Sequence, residues 1–392
     1  IALPWLVLQL TGSALALGTV LALASIPRAL FMLVGGAFVD RYSPRSVMFA
    51  SNFARLVLVA VMSALVLTNT MRIEMLYAFA LAFGLADAFY FPAQTAIVPQ
   101  ILPYEQLQAG NSFVQGTAQL SLLLGPALAG ALIALLGHAA TGAPGMQGIG
   151  LAFGVDTLSF VASLHTLLMM SVPGVAKQAA GQQNVIASIK EGFDYVWSRP
   201  VLRVFFLLIV ATNFLVLGPV TVGIPVLADK RLVEGAAAFG IILSAFGAGA
   251  FPGIILSNIL PAPKPEHFGI VIVFGGAILG IGVALMPLFP STAVVAIIAF
   301  LIGVVTGYQK MLLFTWLQKR IPRELMGRVM SLLFFCSIGL APVSNALAGA
   351  ILQVNLNLLF IGGGVLMTAL TLLSILLPET RQMGLETKVS AN

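Results

Sequence analysis

The chain repeats itself. Pro103, Glu105 and Ser112 recur as Pro322, Glu324 and Ser331, and Ala127-Leu128-Ala129-Gly130-Ala131 returns letter for letter as Ala346-Leu347-Ala348-Gly349-Ala350. With 59% hydrophobic and 8% charged residues and a mean hydropathy of +1.05, there is too little polar surface to cover a water-soluble globule of 392 residues. A duplicated block in such a chain points to two homologous bundles in a bilayer, with a site between them.

Apolar runs of roughly 18 to 25 residues, enough to cross about 30 Å of hydrocarbon as helix, recur along the whole length. Read between polar and Pro/Gly breaks, they fall near 1–10, 17–38, 47–67, 75–97, 108–136 and 149–171 in the first half. In the second they fall near 201–226, 237–257, 268–288, 293–314, 328–352 and 356–377. The predicted fold is therefore an all-α integral membrane protein of twelve transmembrane helices in two pseudo-symmetric six-helix bundles. The first run is short, and Ile224-Pro225-Val226-Leu227, its look-alike for Leu3-Pro4-Trp5-Leu6, follows a full run from about Val201. The expectation is a first helix truncated at its start. The predicted divisions are 1–172 for the N-terminal bundle, 173–200 for a linker, 201–378 for the C-terminal bundle and 379–392 for a tail. Within the linker, Ile186, Ile189, Phe193 and Val196 recur at helical spacing opposite Lys190, Glu191 and Asp194, the pattern of a short amphipathic helix on a membrane surface.

Lysine and arginine placement sets the orientation. If the first helix runs outward, the inner side holds Arg41, Arg45, Lys177, Lys190, Arg199, Arg203, Lys264, Lys319, Arg320, Arg323, Arg328, Arg381 and Lys388. The outer side holds Arg72, Lys230 and Arg231. Both termini are expected in the cytoplasm, with the chain a multi-pass protein of the cell membrane. The +6 formal charge punctuates helix ends instead of clustering on one face, which speaks against nucleic acid as a partner. The single cysteine, Cys336, excludes an intramolecular disulfide framework. No Gly-Lys pair occurs, so a phosphate-gripping loop for ATP is absent from the sequence. No metal-ligand cluster, cofactor motif or convergent nucleophile, base and oxyanion set is visible. A non-enzymatic chain without cofactor or metal is expected.

After the second run stands Gly36-Ala37-Phe38-Val39-Asp40-Arg41-Tyr42-Ser43-Pro44-Arg45. It resembles the loop signature of the major facilitator superfamily, with Ser43 and Pro44 departing from the usual Gly-Arg. The resemblance implies a cytoplasmic gate in which Gly36, Asp40, Arg41 and Arg45 work against the start of the eleventh helix, where Glu324, Gly327 and Arg328 lie. A carboxylate suits that place, since helix N-termini carry partial positive charge. Gly116, Gly125-Pro126 and Gly130 match part of the superfamily's antiporter motif. Phe91-Pro92-Ala93, Val98-Pro99-Gln100-Ile101-Leu102-Pro103-Tyr104-Glu105-Gln106-Leu107, Val155-Asp156-Thr157-Leu158-Ser159-Phe160 and Ile321-Pro322-Arg323-Glu324 with Gly327-Arg328-Val329 resemble macrolide-efflux and enterobactin-exporter-like members.

Three ionisable residues, Arg28, Asp87 and Asp156, lie well inside apolar runs of the first half. Each costs about 2.5–3.5 kcal/mol on insertion scales, so each needs a partner, a water-filled cavity or protonation. Proton exchange by Asp87 or Asp156 is the chemistry that coupling to protons requires. The alternative for Asp87 is a structural ion pair with Arg28. The fourth helix lines the central cavity in this superfamily, and the resemblance makes Trp5, Phe83, Tyr90, Phe91, Asn213, Tyr308 and Gln309 the expected cavity residues. An acid beside aromatic rings suits an amphipathic, often cationic substrate. The function implied is proton-coupled efflux of small amphipathic, drug-like or macrolide-like compounds by alternating access. The alternatives are export or flipping of a siderophore or lysolipid, and a non-transporting sensor or scaffold on the same fold.

Overall fold

The structure, a computed structural model, describes residues 1–103, 106–137, 146–170, 185–261, 263–322, 325–383 and 385. At 32–41, 99, 107–109, 111–112, 136–137, 185–189, 258, 318, 326–327, 331, 334 and 338 it describes the backbone only. All regular elements among the described residues are helical. The first half holds α1 (Ala2–Thr11), α2 (Ala14–Arg41), α3 (Pro44–Leu67), α4 (Ile73–Ile101), α5 (Leu107–Gly137) and α6 (Met146–Met169). A linker helix, α7 (Val185–Trp197), leads to α8 (Pro200–Gly218), α9 (Ile224–Arg231), α10 (Ala236–Ile259), α11 (Pro265–Leu285) and α12 (Thr292–Arg320). The chain closes with α13 (Met326–Ile338), α14 (Ala341–Val354), α15 (Gly363–Ser374) and the single turn α16 (Pro378–Arg381).

Ten stretches are long and apolar enough to span a bilayer, and two shorter apolar helices, Ala2–Thr11 and Leu358–Ser374, complete the expected set. Several second-half runs are broken by local chemistry. Between α8 and α9 the helix widens into a π turn at Pro219–Gly223, where Pro219 removes a backbone donor. The run before α15 also opens as a π turn, Leu358–Gly362, and α13 and α14 part at Gly339-Leu340, just ahead of Pro342.

Within the first half α2 packs along α4, α3 along α4 and α6, and α5 on α6. Within the second, α10 packs along α12, α11 along α12 and α15, and α14 along α8. Among the described residues the halves meet mainly in two seams, α5 on α10 and α2 on α14. The repeated Ala-Leu-Ala-Gly-Ala phrase builds both. In one copy, a Cβ on Gly130 would sit 2.8 Å from the Ala236 carbonyl oxygen and 3.1 Å from the Gly240 Cα. In the other, a Cβ on Gly349 would sit 2.8 Å from the Ala14 carbonyl oxygen and 3.0 Å from the Gly18 Cα. Without lipid-excluding hydrophobicity to drive them together, membrane helices associate by this kind of close backbone approach. The Ala127 N–H donates to Ser244 Oγ across the first seam at 2.8 Å. Leu6, Leu17, Ile133, Leu227, Ile242 and Phe360 are fully buried around the seams. Both seams lie toward the end opposite the basic loops.

The linker helix belongs to the second half. Glu191 pairs with Arg328 at 2.6 Å, Gly192 lies against the Arg328 backbone, and the Tyr195 hydroxyl donates to the Arg320 carbonyl at 3.2 Å. Burial pushes the Tyr195 phenol above its ordinary pKa, against the opposing pull of Arg199, so it remains a donor at neutral pH. Val196 is buried among Trp316, Leu317, Ile321 and Val329.

Candidate functional site

Three charged residues of the first half converge near mid-helix. Gly84 lets α4 approach α2 so closely that a Cβ there would strike the Ala24 carbonyl. One turn further along each helix this brings Asp87 and Arg28 together, with Arg28 Nη1 3.5 Å from Asp87 Oδ2. A second arginine joins from α3: Arg55 Nη2 donates to Asp87 Oδ1 in a short ion pair. The Arg55 guanidinium also lies 4.2 Å from the centre of the Tyr90 ring, a cation–π contact that strengthens as water is removed. Arg55 is the most enclosed of the three, its side chain 11% exposed against 29% for Arg28 and Asp87. Two cations around one anion leave a positive charge in excess. The Nε atoms of Arg28 and Arg55 are buried and find no acceptor among the described residues.

Arg55 escaped the sequence reading. It sits inside the apolar run 47–67 and meets the criterion that singled out Arg28. The ion pair with Arg28, the structural alternative for Asp87, is present. The aromatic neighbour expected to hold a substrate cation is occupied instead: the ring of Tyr90 faces the protein's own Arg55. Asp156 stands apart on α6, where its carboxylate accepts from Ser159 Oγ at 3.3 Å.

The expected cavity residues divide. Trp5 is buried, 6% exposed, with its ring against Gly235, as part of the packed core. Phe83 packs against that core. Phe91 is exposed and meets Tyr90 edge to face at 6.2 Å. Gln309 is spent on helix packing, its Nε2 donating to the Ile272 carbonyl at 2.8 Å. Asn213 donates to Ile209 of its own helix at 2.9 Å, and Tyr308 is half-buried on α12.

Of the expected gate, the side chains of Gly36, Asp40, Arg41 and Gly327 and all of Glu324 lie outside the described residues. Arg45 satisfies the end of α6, donating from Nε and Nη2 to the Leu167 and Leu168 carbonyls at 2.8 Å each. That is a helix-end cap by a cation within one half. Arg328 is engaged by Glu191 of the linker. Of the antiporter-like motif, Pro126 and Gly130 press on α10, whereas Gly116 and Gly125 have open space where a Cβ would go. The small residues serve two different surroundings. Among the described residues no cluster of three or more His, Cys, Asp or Glu could hold a metal ion.

Solved structures with this fold include the nucleoside transporter NupG, 14% identical, covering 95% of this chain and 93% of its own, with a TM-score of 0.69. The inward-open xylose transporter XylE from E. coli is 12% identical, covers 92% and 85%, and has a TM-score of 0.65. By sequence the chain is similar to the multidrug efflux pump Tap of Mycolicibacterium fortuitum, 25% identical over 99% of this chain and 93% of the relative. It is also similar to macrolide efflux protein A of Streptococcus pyogenes, 20% identical over 96% and 90%. Residues 1–343 match the Major Facilitator Superfamily profile, and this multi-pass membrane transporter belongs to that family.

Proposed function

We propose that the protein exports small amphipathic compounds in exchange for protons, its two halves, 1–172 and 201–378, rocking about a site between them. The observation that carries this reading is Asp87, a carboxylate at mid-helix held by arginines from two neighbouring helices. A charge at that depth costs about 2.5–3.5 kcal/mol on insertion scales, which the two guanidiniums offset. Taking a proton would cancel its attraction for both guanidiniums. Arg28 lies on α2, whose start also forms the seam with α14 at Gly18, so the charge on Asp87 acts directly on a helix that joins the halves. Both seams lie at the end away from the basic loops, and placing the basic end in the cytoplasm puts both termini inside. The relatives that are named multidrug and macrolide efflux proteins support the direction and the substrate class.

Inside-out vesicles carrying the protein and loaded by dilution with ethidium test the reading. Uptake that rises when the lumen is made acid and collapses with a protonophore is expected. Equal uptake with and without the gradient overturns proton coupling.

A further inference from the structure

The second acid, Asp156, has no place in the ion cluster; it is exposed on α6, and the packing of α3 on α6 sets its level relative to Arg55. Two hydrogen bonds fix that antiparallel register: Ser63 Oγ donates to the Gly150 carbonyl at 2.8 Å, and Asn52 Nδ2 donates to Ser163 Oγ at 2.9 Å. Asp156 precedes Ser163 by seven residues, two turns along the same stripe of α6. Arg55 follows Asn52 by three, one turn along the same stripe of α3. In this register Asp156 stands level with about Leu58, within one helical turn, about 5.4 Å along the axis, of Arg55. A guanidinium on its long stem covers that distance.

We infer that Arg55 is a positioning residue that exchanges partners, held by Asp87 when that carboxylate is charged and by Asp156 when it is neutral. This deepens the proposed function and rests on it for the event that neutralises Asp87. With Asp87 protonated, Arg28 and Arg55 face each other with no anion between them, and in a poorly screened interior that repulsion must be relieved. Arg28 remains on α2. Arg55 turns to Asp156, the other acid near its level among the described residues, and its departure uncovers the Tyr90 ring. Among the described residues, the charged or titratable groups around the cluster are Arg28 from α2, Arg55 from α3, Tyr90 from α4 and Asp156 from α6. Described residues of α5 supply none. The exchange thus carries a charge change on α4 through α3 to α6, a helix that the Asp87 pairs do not touch.

Thermal melting of the purified full chain in detergent tests this without transport, so its outcome is separable from that of the vesicle experiment. Asp156→Asn is expected to change the melting temperature little in the wild-type background. In Asp87→Asn, which mimics the neutral acid, adding Asp156→Asn is expected to lower it by about 2 °C or more. Arg55→Gln should abolish that extra loss, and Arg55→Lys should retain part of it. An equal Asp156→Asn effect with and without Asp87 overturns the exchange. If Asp87→Asn does not fold, the same comparison on wild-type and Asp156→Asn protein across a pH titration replaces it: divergence of the two curves on acidification supports the exchange, and parallel curves overturn it.

Discussion

Gly18 and Gly349 meet back to back across the two halves. A Cβ on Gly18 would lie 2.5 Å from the Asn345 carbonyl oxygen and 2.8 Å from the Gly349 Cα, so neither position has room for a side chain. Gly349→Val is expected to cost roughly 1–3 kcal/mol through overpacking. It should also bias the protein toward the state with this end parted, read as increased labelling of a cysteine placed at Ala14. Unchanged labelling and stability would remove the seam from the transport cycle.

The antiporter-like glycines give the opposite expectation. Gly116 and Gly125 have nothing within 4 Å of a built Cβ, and alanine is the better helix former by about 0.8–1 kcal/mol. Gly116→Ala and Gly125→Ala should melt at or slightly above the wild-type temperature, whereas Gly130→Ala, facing the Ala236 carbonyl at 2.8 Å, should melt lower.

Within the ion cluster, losses should be unequal and non-additive. Asp87→Asn leaves one buried and one half-buried guanidinium without their anion, a loss of at most about 3–5 kcal/mol. Arg55→Leu leaves Asp87 paired with Arg28 at 3.5 Å and should cost less, about 1–3 kcal/mol. Chemical denaturation of both single variants and the double should show the double losing less than the two together.

The linker clip is weaker. Glu191 is 55% exposed in its pair with Arg328, so Glu191→Gln should change stability by at most about 1 kcal/mol, and less at high salt. Its effect should appear in the docking of α7, as faster proteolysis near Trp197. Unaltered proteolysis would mean that the buried Val196 and the Tyr195–Arg320 hydrogen bond hold the helix alone.

Much of the fold was legible in the chain, because runs of apolar residues carry helix length directly and the Ala127–Ala131 repeat carries the duplication. That the same repeat would form both inter-half seams was not legible, since sequence says which residues are small and not which helices they face. The site was legible only in part. Arg28 and Asp87 stand out as charges in apolar runs, but their meeting depends on Gly84 letting α4 against α2, and a lone helical glycine carries no partner's address. Arg55 was discoverable by the same charge criterion. Gln309 read as a polar cavity wall because nothing in its neighbours reveals that it faces the Ile272 carbonyl of another helix.

The central claim is that the charge on Asp87 drives the exchange of substrate for protons. Proton-gradient-driven ethidium transport in reconstituted liposomes, compared between wild type and Asp87→Asn at matched protein content, tests it most directly. Asp87→Asn is expected to lose acceleration by the gradient while a basal, gradient-independent leak of dye persists. Gradient-driven transport by Asp87→Asn at the wild-type rate would contradict it.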